Sequence, residues 1–379
     1  MRHAAAYETT TAGSANRAQR IATGRCNYID VPRRIRWSEF AILLLAFSLA
    51  TVAMTWPLWQ HPTRRLPSDL IDTLLNTWII GWDADRFRHA LRGVWDAPIF
   101  FPYRNTLAFS ENLFGIAVFV APVYWMTGNA VLTYNVAFTL SFALAGAGMY
   151  LLAVELTGSR RAAIVAAAFY AFCPFRFVQV SHIQLIATGW LPIALFALHR
   201  YFTTRDRRML GVFAVACWLQ VLSNAYMAYF IAVPIVIAIV AALWRPRADR
   251  LPMIVDLAAA GLVIAVALAP VAWQYVQVRS TYGQVRRLVE MDMGAADLRS
   301  YFIGHKWIGM WRWLRADAPT EGERELFPGV TAVVLATASL ALVSRRAESA
   351  RWVIAYATTA IVAALLSMAA PIRWKESCK

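Results

Sequence analysis

Charged residues are scarce in this sequence. Only 16% of its 379 residues are Asp, Glu, Lys or Arg, while 59% are hydrophobic; ordinary soluble domains carry roughly 25% charged and 45–50% apolar residues. So little charge excludes a water-exposed globular surface as the simplest account and points to lipid as the solvent. Cysteine is almost missing as well. Cys26, Cys173, Cys217 and Cys378 form no CxxC pair and no Cys/His cluster, which excludes a disulfide framework and a metal finger. Cys173 and Cys217 fall inside apolar blocks, where a free thiol packs as a small hydrophobe. There is no P-loop, Rossmann glycine pattern, GxSxG or HExxH, so the usual marks of soluble nucleotide-binding and hydrolytic sites are absent. No short apolar region followed by an A-x-A site marks a cleavable leader. Residues 1–37 instead hold seven Arg against two acids and read as a disordered basic cytoplasmic tail before an uncleaved signal anchor.

What the sequence does have is apolar blocks. The clear ones run about 39–58, 130–152, 161–177, 184–201, 209–223, 226–244, 253–273, 328–343 and 352–370, lengths that suit membrane helices. Residues 38–379 therefore read as a single all-α, polytopic membrane domain. The formal charge of +15 would suggest nucleic acid in a soluble protein. Here the excess lies beside the apolar blocks, where Arg fixes topology and meets anionic headgroups, and nucleic acid is set aside as a partner in favour of membrane lipid.

One further block, 112–127, is short and broken by Pro122. Counting it as a span reverses every loop downstream, and the positive-inside rule decides. If it does not cross, the loops at Arg160-Arg161, Arg205–Arg208, Arg245–Arg250 and Arg345–Arg351 are all cytoplasmic, short and basic. The outer loops are then 59–129, 178–183 and 274–327. Residues 59–111 balance six Arg with six acids, and 274–327 set eight Lys/Arg against seven acids, the near-neutral character of segments that translocate. The expectation is about nine transmembrane helices with a cytoplasmic N-terminus, plus interfacial and re-entrant helices in the first outer loop.

That loop carries the main candidates. Leu70, Ile71, Leu74, Leu75, Trp78, Ile79 and Trp82 form a helical stripe, with Asp69, Asp72, Thr73 and Asn76 on the other face. The pattern predicts a helix in the headgroup plane, its carboxylates solvated and Asn76 one turn from Asp72. In the stretch 100–112, which includes Tyr103, Ser110 is a candidate N-cap for 112–127. Glu111 would then lie in the first turn, where the helix dipole favours an anion; alternatively it is a functional carboxylate at membrane level. Between two apolar blocks, Arg176, Gln179, His182 and Gln184 interrupt the hydrophobicity, and a guanidinium there suits bidentate phosphate binding. In the long outer loop, Arg299, Lys306, Arg312 and Arg315 interleave with Trp residues, which suits an interfacial element near lipid phosphates or plain aromatic anchoring.

Ser68-Asp-Leu-Ile-Asp-Thr-Leu-Leu-Asn-Thr-Trp, Leu107-Ala-Phe-Ser-Glu-Asn, and Pro174-Phe-Arg followed by His182-Ile-Gln-Leu resemble a bacterial branch of the GT-C superfamily of membrane glycosyltransferases, over about residues 39–330. The resemblance implies an inverting transfer of a sugar from a polyprenyl-phosphate carrier to an envelope acceptor outside the cytoplasmic membrane. Asp72 matches the catalytic base, with Glu111 and His182 orienting it or the substrate. Asp69, Asn76, Tyr103, Arg176, Gln184, Arg299 and Lys306 form the implied substrate-binding set. Many members add a soluble outer domain, whereas this chain ends at Arg373-Trp-Lys-Glu-Ser-Cys-Lys, the pattern expected of a truncated or a degenerate copy. Arg176 and His182 also stand where many relatives place an acid that helps hold a divalent metal, so no metal ligands are assigned. A transporter or flippase for a lipid-linked sugar, and an inactive structural membrane protein, are the rival expectations.

Overall fold

The computed structural model describes residues 36–68, 70–244, 250–283, 295–304, 309–314, 324–343 and 348–368, all within one compact unit, Ile35–Lys379. The tail expected over residues 1–37 lies outside the described residues save for its last two. Among the described residues the chain is helical throughout and has no strand. The main helices are α1 (Trp37–Met54), α2 (Asp72–Arg88), α3 (Phe114–Thr127), α4 (Ala130–Thr157), α5 (Arg160–Ala171), α6 (Trp190–Thr204), α7 (Arg208–Ser223), α8 (Met227–Leu243), α9 (Arg250–Tyr282), α10 (Val330–Leu342) and α11 (Glu348–Ser367).

Each of the nine apolar blocks contains a helix. Six helical segments are long and apolar enough to cross a membrane: Trp37–Met54, Ala130–Thr157, Arg160–Val178, Ile183–Thr204, Arg250–Tyr282 and Ala350–Ser367. The helices α3, α7, α8 and α10 are apolar but shorter. Leu45 and Leu49 of α1, Val263 and Val266 of α9, and Ile361 and Leu365 of α11 are exposed. Apolar faces this extensive mark a protein whose surroundings are lipid.

The bundle is organised around α4, which is mostly buried and, at 28 residues, about 42 Å long. It packs against α1, α2, α3, α5 and α6. Small side chains allow these close approaches, as they do between membrane helices generally. Ala163, Ala167 and Ala171 of α5 recur every four residues and are fully buried. A Cβ on Gly146 would lie 2.6 Å from the Phe47 ring of α1. A further close crossing brings Gly148 against Gly189: a Cβ at Gly148 would meet the Gly189 carbonyl oxygen at 2.7 Å, and one at Gly189 would meet the Leu144 backbone at 2.7 Å. This seats the hairpin between α5 and α6, residues 172–189, deep against α4.

Polar contacts collect at the two ends of the bundle. At one end Arg160 pairs with Glu39 at 2.9 Å, Arg200 with Glu155 at 2.8 Å and Arg207 with Asp256 at 2.9 Å. At the other, near the start of α4, the Asn135 amide donates to the Pro62 and Arg65 carbonyls. The same end holds the contacts of Asn76 with Gln184 and of Asn112 with Tyr275. Both termini of α3 belong to this second group, since the Asn129 amide also donates to the Thr63 carbonyl.

Two local expectations are corrected. The helix carrying Asp72 begins at that residue, and Thr73 and Asn76, expected on its solvated face with Asp72, are buried; Asp72 stays half exposed, and of the apolar stripe Leu70, Ile71 and Leu74 are exposed while Ile79 is fully buried. The amide of Asn76 is used inside the protein, so that part of the polar face turns inward. Ser110 does not cap α3, which starts at Phe114 after Leu113 in a left-handed conformation; the Asn112 side chain accepts from Phe114 N–H instead.

The Gly148–Gly189 crossing makes a stability prediction. Gly189→Ala should lower stability by about 1–3 kcal/mol, as overpacking does, in thermal unfolding of the detergent-solubilised protein. Gly211→Ala, at a position open for 4 Å around, should be close to wild type.

Candidate functional site

The hairpin 172–189 and the N-terminus of α2 meet at the second end of the bundle. His182 Nε2 lies 3.1 Å from Asp72 Oδ2, and His182 Nδ1 is 3.2 Å from Ser181 Oγ. One turn along α2, the Asn76 amide donates to Gln184 Oε1 at 3.0 Å. The Gln184 carbonyl in turn accepts from the Asn224 amide at 3.2 Å, between α7 and α8. The next residue, Ala225, donates its backbone N–H to Glu111 Oε2 at 2.8 Å. Asp72, Asn76, His182, Gln184 and Glu111 are thus parts of one polar junction built from three separate loops.

Within that junction the carboxylates differ. The Asp72 side chain is 47% exposed and that of His182 24%, so this pair is open to a substrate. Asp72 is the first residue of α2, where unpaired backbone N–H groups and the helix dipole favour a negative charge. Glu111 is turned inward and holds the start of the α8 turn. Beside it, Asn112 donates to the Tyr275 hydroxyl at 3.1 Å and that hydroxyl donates to the Ser110 carbonyl at 3.0 Å, fastening residues 110–112 to α9.

Arg176 is not placed as a surface phosphate ligand. Only 3% of it is exposed. It donates to Thr188 Oγ1 at 2.8 Å and to the Ser141 carbonyl at 3.1 Å, and its guanidinium lies 4.7 Å from the Phe142 ring centre. This fork cross-links the hairpin to α4, and the positive charge is stabilised by an aromatic face. Tyr103 is exposed and packs its ring against Phe109 and Tyr282. Arg299 is exposed on the Leu298–Phe302 turn, close enough to Asp297 to act on its charge. Asp69 and Lys306 lie outside the described residues. Among the described residues no group of three or more His, Cys, Asp or Glu is suited to a metal.

Several residues here carried no signal strong enough to be singled out in the sequence. Ser181 is one, and Asn224 sits in the polar break Ser223-Asn224 between two apolar helices. Asp83 is the most unusual: it is fully buried in α2, with neither carboxyl oxygen hydrogen-bonded among the described residues. Burial without a partner raises its pKa well above the ordinary carboxylate range, because desolvation disfavours the charged form. An acid inside the apolar run Ile79-Ile80-Gly81-Trp82-Asp83-Ala84 was the available clue.

An apolar cavity of 280 Å³ lies between α1, α3 and the hairpin, lined by Gly115, Ala187 and Ser223 and, on the α1 side, by Phe40 and Leu44. Residues 43–376 match the family described as a domain of unknown function (DUF6311), and the chain belongs to that family. No curated protein matches the chain. No solved structure matches it either.

Asp83 makes a pH prediction. Its proton is held in the folded state and released in the unfolded chain above about pH 4. The folded state then binds more protons, so stability falls as pH rises toward the raised folded value, by up to about 1.4 kcal/mol per pH unit. Asp83→Asn, which keeps the shape without the ionisation, should match wild type near pH 4 and unfold at a higher temperature by pH 8. Parallel unfolding temperatures across that range would contradict a buried neutral acid.

Proposed function

We propose that this DUF6311 family member is an integral membrane glycosyltransferase that moves a sugar from a polyprenyl-phosphate donor to an envelope acceptor at the outer face of the cytoplasmic membrane. The observation that carries this reading is the half-open Asp72–His182 pair at one end of a bundle whose sides are apolar. An exposed carboxylate in that place fits a reaction between a polar acceptor and a lipid-linked donor.

In the reaction, Asp72 accepts the proton of the acceptor hydroxyl as its oxygen bonds to the anomeric carbon. The bond from that carbon to the carrier phosphate breaks with its electron pair on the phosphate, and the configuration inverts. Such a base must lie within hydrogen-bond reach of the hydroxyl, which the half-exposed side chain of Asp72 allows. The isoprenoid chain occupies the apolar cavity, which contributes affinity through burial. Asn76 and Gln184 hold the two walls together. Because Arg176 is committed internally, the charge on the departing phosphate is assigned to the long outer loop, where Arg299 is exposed.

The topology belongs to the same reading: nine spans, N-terminus inside, with α3 re-entrant from the outer face. It is supported by the gathering of Arg160, Arg200 and Arg207 at one end of the bundle. The contacts of both α3 termini with the opposite end support it too.

Asp72→Asn should retain expression and unfolding behaviour while lowering transfer by roughly 10²–10⁴-fold, the usual worth of a general base. The assay supplies membranes containing the protein with a labelled polyprenyl-phosphate sugar and follows label released from the carrier. A rate equal to wild type would sink the assignment. Movement of intact donor across the bilayer, with its phosphate bond unbroken, would favour the flippase.

A further inference from the structure

Asp72, His182 and Ser181 form a chain of polar contacts from an open carboxylate to a buried hydroxyl: an ion-pair contact from Asp72 to one ring nitrogen of His182 and a hydrogen bond from Ser181 to the other. Asp72 is 47% exposed at its side chain and His182 24%, and Ser181 is 8% exposed. The order matters, because each group can play only certain roles. An ionised carboxylate accepts hydrogen bonds and donates none. With His182 as neutral imidazole, the nitrogen facing Asp72 Oδ2 at 3.1 Å must therefore carry the ring proton. A bare nitrogen there would set two acceptors against each other. Nδ1 is then left with a lone pair, and the hydroxyl 3.2 Å away, Ser181 Oγ, is a donor able to meet it.

We infer that Ser181 is a positioning residue for the proposed transfer: its hydroxyl donates to His182 Nδ1, fixes the Nε2–H tautomer, and so aims that N–H at Asp72 Oδ2, leaving Oδ1 for the acceptor hydroxyl. A second nitrogen partner commonly sets which tautomer of a histidine presents itself to a reaction centre. Ser181 is buried and spends its hydroxyl on the ring nitrogen away from Asp72, so it orients and does not attack. Its backbone is also placed from outside its own loop. The Asn76 amide, bound to Gln184 Oε1 at 3.0 Å, also approaches the Ser181 carbonyl at 3.5 Å, tying the loop that carries the hydroxyl to the helix that carries Asp72. The inference rests on the glycosyl-transfer reading only for its catalytic consequence; the hydrogen-bond order is a property of the protein alone.

The test is nitrogen NMR of the full-length protein with ¹⁵N-labelled histidine in detergent micelles, with His182→Gln used to assign the His182 ring. The wild type should show His182 as a single Nε2–H tautomer. Ser181→Ala should convert it to a mixture, and Ser181→Thr, which restores a hydroxyl, should return the single form. Alongside, transfer from a polyprenyl-phosphate sugar should fall by roughly 10–100-fold in Ser181→Ala, as when an orienting partner of a functional histidine is lost, and recover in Ser181→Thr. A wild-type ring protonated at Nδ1, or an unchanged tautomer in Ser181→Ala, would overturn the inference. The first of these needs no variant to fold. If the tautomers behave as expected but the wild type transfers no sugar, the hold of Ser181 on the His182 tautomer stands and the glycosyltransferase reading fails.

Discussion

Residues 72–76 at the start of α2 are held to residues 181–184 of the hairpin by two side-chain pairs, Asp72 with His182 and Asn76 with Gln184. The rest of the site depends on this bridge. Asn76 is buried, and a buried amide without partners costs about 1–3 kcal/mol, so the pairing selects which face of α2 turns inward. That choice exposes Leu70, Ile71 and Leu74 to the surroundings and leaves Asp72 at the rim. Gln184 passes the connection on through its carbonyl to Asn224, and Ala225 passes it to Glu111. Three loops far apart in the chain are thereby locked around one carboxylate.

The bridge is possible because the hairpin sits low against α4. Gly148 and Gly189 let the backbones touch, and Arg176 then works from inside, tying Thr188 and the Ser141 carbonyl together over the Phe142 ring. Removing either device would lift His182 away from Asp72. The same packing leaves an apolar space between α1, α3 and the hairpin, so the open carboxylate and the cavity arise from one arrangement of helices rather than from separate features.

Much of the architecture was legible in the amino-acid sequence because lipid imposes a coarse rule: long apolar blocks become helices, and each of the nine blocks contains one. Asp72, Asn76, His182, Gln184 and Glu111 were also legible, as polar interruptions that an apolar bundle tolerates only for a reason. Their roles were less so. Periodicity along α2 separates an apolar face from a polar one, yet cannot say which is turned to the protein when the outside is itself partly apolar. Arg176 looks the same in sequence whether it meets a phosphate or a carbonyl and an aromatic ring. Ser110 has the chemistry of a helix cap, but α3 starts three residues further on and Asn112 takes that part. Ser181 and Asn224 gain their meaning only from partners brought close by folding.

The central claim is that Asp72 and His182 act as one unit in sugar transfer, and a double-mutant cycle tests it most directly. Transfer from a polyprenyl-phosphate sugar would be compared for wild type, Asp72→Asn, His182→Gln and the double variant, all checked for equal folding. Residues that act as a unit are strongly non-additive, so the double variant should be no slower than Asp72→Asn alone. Losses that multiply, or a wild type that transfers nothing, would contradict the account.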